Sequence, residues 1–334
     1  MLQIINKWAI DDLYNKKTFN IEASTNHIIY YSPQEPYTDF APPEEFIPNL
    51  IRKSISLDVV LNAIDVNKLP QSENITYHTW NSFFIYWVNL KMIAHNKDLI
   101  NYSNYLDTKV PTSLFTLLVN KPHPHRCKLI DKLGQDLVNS NIVGWKNINK
   151  NFEFKNWKQQ ILVVDSAFST TRKSDDVSVP DTNTMFTSNV HGNSDSVLTL
   201  VSETTPDILF LTEKTFIPIS LGKPVLIVGA KGINKFLTAF GFKLYENIID
   251  YSFDEEESYD TRIEMIQREL TRLSTINFET LKQACYPTSL HNKERFYHII
   301  KNKEYFPTAF TEKLTNINLK YNSDYTNIIK QTIF

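Results

Sequence analysis

From residue 113 onward, short apolar segments alternate with segments of helical periodicity, and this alternation constrains the fold more than any other feature. Strands are predicted at 113–119, 142–145, 161–164, 197–201 and 224–228, and helices at 126–138, 212–221, 233–240 and 259–273. In the first of these helices, Leu129, Leu133 and Leu137 recur at every fourth position, which is helical spacing. Apolar strands joined by helices form parallel sheets that are covered on both faces. The sequence therefore predicts an α/β fold.

The N-terminal part of the chain is less regular. A strand is predicted at 27–31, and five prolines between residues 33 and 48 make the following segment a loop. Two further apolar segments, 55–61 and 74–90, have the pattern of strands or helices and cannot be ordered from the sequence. The five aromatic residues between positions 80 and 87 are mostly core residues, and one of them could face a sugar or a base.

The chain length allows two domains. With 334 residues, the chain can bury two separate cores of ordinary size. The long polar segment 168–193 is predicted to be a long connection or a mobile loop. We expect an N-terminal α/β lobe at 1–110, a C-terminal α/β lobe at 111–305, and a tail at 306–334 that packs back on the first lobe.

Charge and cysteine content restrict the partners and the location. The 35 basic and 37 acidic residues nearly cancel, so the chain has no general attraction for nucleic acid or for an anionic membrane. The only cysteines, Cys127 and Cys285, do not suggest a disulfide framework. The longest apolar runs are too short to cross a bilayer. We therefore expect a cytoplasmic protein with no membrane span and no nucleic-acid partner.

The segment Thr212-Glu213-Lys214 is the strongest candidate site. Thr212 is a good N-cap for the predicted helix, and Glu213 lies in the first turn, where the helix dipole favours an acid. A helix N-terminus together with Lys214 can hold a phosphate, and a neighbouring carboxylate can accept hydrogen bonds from ribose hydroxyls. A capped surface helix without a ligand has the same pattern, and on spacing alone that interpretation is favoured. Pro218 requires this helix to kink or to begin later.

Three segments together carry a resemblance to a known family. Ser202-Glu203, Leu211-Thr212-Glu213-Lys214-Thr215-Phe216 and Leu221-Gly222-Lys223-Pro224-Val225 resemble the donor-binding signature of the α1,3-fucosyltransferase-like family. The segment from Asn120 to Arg126, which follows the predicted strand 113–119, is similar to an Asn-x-x-Pro-x-His-Arg segment of phage-encoded glycosyltransferase-like proteins, and fucosyltransferases have a comparable arginine. Gly241-Phe242 and Ile249-Asp250-Tyr251-Ser252 are similar to elements of phage-encoded glycosyltransferase-like proteins. Thr204 and Leu211 depart from the family pattern, which leaves the sugar open.

The resemblance implies a fold, a reaction and a set of roles. The fold would be two Rossmann-like lobes that face a cleft, the GT-B arrangement, with no metal and no cofactor. A nucleotide-diphosphate sugar would be the donor, and a glycan or another hydroxyl compound the acceptor. Arg126 and Lys214 would neutralise the diphosphate, and Glu213 would hold the ribose. Glu203 would orient the sugar or the turn before Lys214. Asn120 and Thr212 complete the predicted donor site.

The catalytic base is expected in the first lobe. Inverting sugar transfer needs a group that takes the proton of the acceptor hydroxyl. Glu35, in the proline-rich loop after the strand 27–31, is the best candidate, because fucosyltransferases have a catalytic glutamate in a similarly placed loop. Asp39, Glu44 and Glu45 are rivals. A surface role is the more common one for any single carboxylate.

Two further patterns have candidate metal ligands. His123 and His125 could bind one metal, but the sequence offers no third ligand nearby, so structural or donor-contact roles are favoured. The acidic run 254–257 has the pattern of a solvated face. Two alternatives to a glycan transferase stay open: a GT-B-like binding or structural module without activity, and a phage-type transferase that acts on modified DNA bases. The near-neutral charge argues against the second.

Overall fold

The computed structural model describes ten parts of the chain. They are residues 2–6, 27–32, 54–61, 69, 71–94, 110–119, 123–145, 153 with 155–156, 195–305 and 308–321. Within these parts, the protein has two parallel four-stranded sheets and seven α-helices. The predicted α/β fold is therefore confirmed. None of the described helices is both long and apolar enough to cross a lipid bilayer.

The chain divides into two compact units. The first unit combines Met1–Phe84 with Lys303–Phe334, and the second unit is Ile85–Asn302. These units differ in extent from the domains predicted at 1–110, 111–305 and 306–334, and those domains stay predictions. The last described helix belongs to the first unit.

The first unit is built around one sheet. Its strands β1 (Leu2–Asn6), β2 (His27–Ser32), β3 (Ser56–Leu61) and β4 (Ile75–Thr79) lie in sequence order and are all parallel. The predicted strand at 27–31 is thus confirmed, and of the apolar segment 55–61 the residues Ser56–Leu61 form a strand. Helix α1 (Phe83–Ala94) follows β4, and helix α7 (Thr308–Tyr321) lies at the other end of the chain. Trp80 and Phe83 are fully buried, so these aromatics are core residues as predicted.

The second unit contains the sheet predicted from the alternating pattern. Its strands are β5 (Ser113–Val119), β6 (Ile142–Trp145), β7 (Ser196–Ser202) and β8 (Val225–Val228), all parallel, in the order β6-β5-β7-β8. Strands β5, β7 and β8 are mostly apolar and their side chains are almost all buried, as expected of a parallel sheet with two covered faces. The predicted strand at 161–164 and the predicted connection at 168–193 lie outside the described residues.

Five helices of the second unit follow these strands. They are α2 (Pro124–Asn139), α3 (Glu213–Ser220), α4 (Ile233–Phe236), α5 (Tyr259–Ser274) and α6 (Phe278–Lys301). Helix α3 begins at Glu213 and ends two residues after Pro218. Helix α2 packs against α5, whereas α3 packs against α6. The chain runs from β5 through α2 to β6 at one edge of the sheet, and from β7 through α3 to β8 at the other edge. Because both connections are right-handed, α2 and α3 lie on opposite faces of the sheet.

Candidate functional site

The order of the second sheet reverses direction between β5 and β7. The chain leaves β5 through α2 to reach β6 on one side, and it leaves β7 through α3 to reach β8 on the other side. Parallel sheets bind ligands at such a reversal, outside the carboxyl ends of the two strands. The residues at this edge are the start of α2, Glu203 directly after β7, and the start of α3. The predicted site residues Arg126, Glu203, Thr212, Glu213 and Lys214 all belong to these segments.

Glu203 holds the start of helix α3. Its side chain is fully buried, and Oε1 accepts hydrogen bonds from the backbone N–H of Thr212 at 2.9 Å and from Thr215 Oγ1 at 2.7 Å. The other oxygen, Oε2, accepts a hydrogen bond from Thr212 Oγ1 at 2.7 Å. A buried carboxylate needs such donors, because an unsatisfied charge would be costly. In this arrangement, the Glu203 side chain contacts the turn before Lys214.

The main chain of Glu203 contacts the start of helix α2. Its carbonyl oxygen accepts hydrogen bonds from His125 Nε2 at 3.1 Å and from Arg126 Nη2 at 3.3 Å. Arg126 is buried, with 4% of its surface exposed. Burial lowers the pKa of Arg126, while the carboxylates of Glu203 and Glu213 act in the opposite direction. One residue therefore connects the helix starts that follow β5 and β7.

Lys214 is the more accessible cation of the site. Thr212 is the N-cap of α3, as predicted, and its hydroxyl oxygen accepts from the Lys214 backbone N–H at 3.3 Å. Lys214 Nζ donates to the same oxygen at 3.0 Å and lies 3.3 Å from Glu213 Oε1. The Lys214 side chain is 30% exposed. Thr212 in turn donates to Glu203, so Lys214 is linked to Glu203 through Thr212. Arg126 is bonded to Glu203 directly.

No family model, curated protein or solved structure matches this chain. The function is therefore inferred from the arrangement of these side chains, together with the resemblance carried by the sequence. Five of the predicted donor-site residues gather at one edge of the second sheet. Asn120, the sixth predicted donor-site residue, and Glu35, the predicted catalytic base, lie outside the described residues, and their roles stay predictions.

The two histidines at the start of α2 are stacked. Their rings are nearly parallel, with centroids 5.7 Å apart. Burial lowers the pKa of His125 to about 4; the hydrogen bond to the Glu203 carbonyl opposes this shift, and the charge of Arg126 adds to it. His125 is therefore neutral at physiological pH, carries its proton on Nε2, and has Nδ1 as a hydrogen-bond acceptor. Within the described parts of the chain, no three side chains gather in a way that could hold a metal ion.

Tyr259 and Arg262 of α5 also belong to this edge, and sequence reasoning missed them. Tyr259 Oη donates to the carbonyl oxygen of His125 at 3.0 Å. The guanidinium of Arg262 lies 5.9 Å from the centre of the Tyr259 ring, and its Nη1 donates to the carbonyl of Gly229 at 2.5 Å. Gly229 directly follows β8. The pair thus connects the start of α2 to the end of β8. Their spacing of three places both on one face of the predicted helix, which was the available signal.

Replacing Tyr259 with phenylalanine should weaken the binding of any ligand at the start of α2. The change removes only the hydrogen bond to His125, so we expect a stability loss of about 1 kcal/mol. Arg126 is the next residue after His125, and ligand affinity should fall by roughly threefold to tenfold as its position becomes less fixed. Calorimetric titration with a nucleoside diphosphate measures the affinity, and thermal unfolding measures the stability. Tyr286→Phe, on an exposed part of α6, is the matched control and should change neither property. Equal affinity in both variants would contradict a positioning role.

The acidic run at 254–257 differs from its prediction. Glu255 and Glu257 are exposed as expected, but Asp254 is only 3% exposed. Its carboxylate accepts from the backbone N–H groups of Asn234 at 3.1 Å and Lys235 at 2.9 Å. The prediction of a solvated face is therefore wrong for Asp254, because this carboxylate satisfies the free amides at the start of α4.

A surface depression elsewhere in the second unit is not part of this site. It is lined by residues 246–252 and by Arg272. Arg272 lies near the end of α5, and Tyr259 lies at its start. Thirteen helical residues separate them, a distance of about 20 Å along the axis. The chemistry of the depression is also different, because Arg272 is paired there with Glu269.

Proposed function

We propose that the second unit binds the diphosphate of a nucleotide sugar at the reversal between β5 and β7, and that the protein transfers the sugar to a glycan or another hydroxyl acceptor. One observation carries this proposal: the starts of α2 and α3, each with a cationic side chain, meet at Glu203 on the carboxyl edge of two adjacent parallel strands. Free amides at helix starts and basic side chains are the groups that stabilise a diphosphate.

In this proposal, each residue of the site has a separate task. Lys214 and the start of α3 bind the phosphates directly, since Lys214 is the accessible cation. The side chain of Arg126 is buried, and its positive charge stabilises the diphosphate without direct exposure to solvent. Glu213 accepts hydrogen bonds from the ribose hydroxyls. Glu203 contacts no ligand and instead fixes the positions of both helix starts.

Transfer then needs charge stabilisation and a base. The acceptor oxygen attacks the anomeric carbon, the bond from that carbon to the diphosphate breaks, and the nucleoside diphosphate leaves with the electron pair. Positive side chains stabilise the negative charge that develops on it. A carboxylate, with Glu35 as the candidate, takes the proton of the acceptor hydroxyl. The GT-B arrangement, a metal-independent inverting reaction and a cytoplasmic location are parts of the same proposal, drawn from the sequence.

A panel of nucleoside diphosphates and their sugars tests the proposal. A ligand at one hundred times its Kd stabilises the folded state by about 2.7 kcal/mol, so at least one member should raise the melting temperature. Release of nucleoside diphosphate on adding an acceptor would then demonstrate transfer. A ligand that binds without any turnover would favour the inactive module instead. Absence of a shift with every nucleotide at millimolar concentration would contradict the proposed site.

A further inference from the structure

A buried serine at the end of β7 has no task in the proposed function as stated so far. Ser202 is the last residue of this strand, and it pairs with Val228 at the end of β8. Only 3% of its surface is exposed. Among the residues that the structure describes, none forms a hydrogen bond with Ser202 Oγ. A buried hydroxyl without a partner is costly and is rare in native proteins, so its presence at this edge needs a physical reason.

Strand geometry gives the direction of this hydroxyl. Successive side chains of a strand point to opposite faces of the sheet. The side chain of the next residue, Glu203, contacts Thr212 at the start of α3. Because α2 and α3 lie on opposite faces, Ser202 points to the face of α2. The start of α2 reaches the same point of the chain, since His125 and Arg126 both donate to the main-chain carbonyl of Glu203.

A second serine of the same strand has the partners that Ser202 lacks. Ser196 is the first residue of β7, and because six residues separate the two serines, both point to the same face. Ser196 is also fully buried. Its Oγ lies 2.6 Å from Thr116 Oγ1 on β5 and 2.6 Å from Lys223 Nζ, which precedes β8. At the opposite, carboxyl edge, where parallel sheets bind ligands, the described part of the protein supplies no such partner to Ser202.

The charges near Ser202 favour an anionic oxygen as its partner. Arg126, a buried cation, donates to the carbonyl of the adjacent residue, Glu203. Lys214 is linked to the same residue from α3 through Thr212. A serine hydroxyl can donate one hydrogen bond, and its bonds to charged oxygens are the short and strong ones. The small exposure of Ser202 also favours contact with one projecting oxygen over contact with a flat base or a sugar ring.

We propose that Ser202 is a ligand-contact residue whose hydroxyl donates a hydrogen bond to an oxygen of the bound diphosphate from the α2 side of the site. This inference rests on the proposed function, because it concerns the same ligand. In the ligand-free protein, the buried hydroxyl destabilises the fold. In the complex, the phosphate oxygen satisfies it. The residue therefore lowers stability and raises affinity, and one substitution should reverse both effects.

Replacement of Ser202 by alanine tests the contact. Alanine removes the hydroxyl and no bond of the described protein, so the melting temperature without ligand should stay the same or rise by about 2–4 °C. The ligand is the nucleoside diphosphate that gives the largest thermal shift among ADP, CDP, GDP and UDP. Its affinity, measured by calorimetric titration, should fall roughly tenfold, the effect of losing one charge-assisted hydrogen bond.

Ser196→Ala is the matched control at the other end of the strand. It removes a partner of Thr116 and of Lys223, so it should lower the melting temperature. At a temperature where this variant stays folded, its affinity for the same nucleotide should equal that of the parent protein. If Ser196→Ala does not fold, Ser289→Ala replaces it as the control, since Ser289 is a buried serine of α6 that contacts Tyr245.

Three results would overturn the role of Ser202. Equal affinity of Ser202→Ala and the parent protein would show that the diphosphate does not contact the hydroxyl. A melting temperature of Ser202→Ala several degrees below that of the parent would show that the hydroxyl is bonded within the protein. Both results leave the proposed function standing. A parent protein that binds none of the four nucleotides would instead remove the proposed function, and the role of Ser202 with it.

Discussion

Replacement of Lys214 by alanine is expected to lower the affinity for a nucleoside diphosphate by roughly tenfold to a hundredfold, which is the effect of losing one charge-assisted hydrogen bond of about 1.5–3 kcal/mol. The fold should not change. Lys214 lies after the N-cap, its side chain is partly exposed, and its contacts to Thr212 and Glu213 are local. Calorimetry gives the affinity, and thermal unfolding gives the stability.

Two further variants distinguish a specific contact of Lys214 with the diphosphate from a general effect of the protein's positive charge. Lys235→Ala removes an exposed lysine from the short helix α4 in the same unit, where its partner is Glu255, and it should bind the nucleotide like the parent protein. Lys214→Arg keeps the charge but changes the geometry, so it should lie between parent and alanine variant. Unchanged affinity of Lys214→Ala would mean that the start of α3 does not hold the diphosphate.

The second sheet shows how far local sequence determines this fold. The predicted strand 113–119 has the same bounds in the structure, because its seven residues are apolar enough to be recognised without any neighbour. Thr212 was recognisable as an N-cap for a similar reason, since capping depends on residues two or three positions away. Helix 259–273 follows from its apolar periodicity.

Features that depend on distant partners could not be predicted. The family resemblance singled out Glu203, but the sequence did not show its three donors, which become visible only when α3 folds back over the end of β7. Helix α6 was not predicted, because its 24 residues include Pro287 and its apolar positions are scattered. Asp58 lies within the apolar strand β3, and the structure shows that its carboxylate contacts His27, His78 and Lys313, which lie far from it in the sequence.

The side chain and the main-chain carbonyl of Glu203 contact different parts of the proposed site, and a mutation can remove one set of contacts without the other. The side chain serves the start of α3, whereas the main-chain carbonyl serves His125 and Arg126 at the start of α2. A substitution at this position removes the first set of contacts and retains the second. The effect of fixing the turn before Lys214 can therefore be tested while the hydrogen bond from Arg126 to the main chain is retained.

Replacement of Glu203 by alanine should destabilise the protein by about 3–5 kcal/mol, because three buried donors lose their charged acceptor and each unsatisfied donor costs about 1–3 kcal/mol. Two hydroxyls and one backbone N–H would lose their acceptor in a site with no solvent access. Glu203→Gln keeps one carbonyl oxygen for these donors, and its cost should be nearer about 1–2 kcal/mol. Urea unfolding of both variants measures the difference.

The same variants should also bind a nucleoside diphosphate at least tenfold more weakly at a temperature where they stay folded, because the turn before Lys214 loses its support. Glu269→Ala is the matched control: Glu269 is a largely buried glutamate on α5 that pairs with Arg272, far along that helix from Tyr259. Its loss should reduce stability and leave nucleotide affinity unchanged. If Glu269→Ala weakens binding as much as Glu203→Ala does, then the effect reflects lost stability, and Glu203 does not position the site.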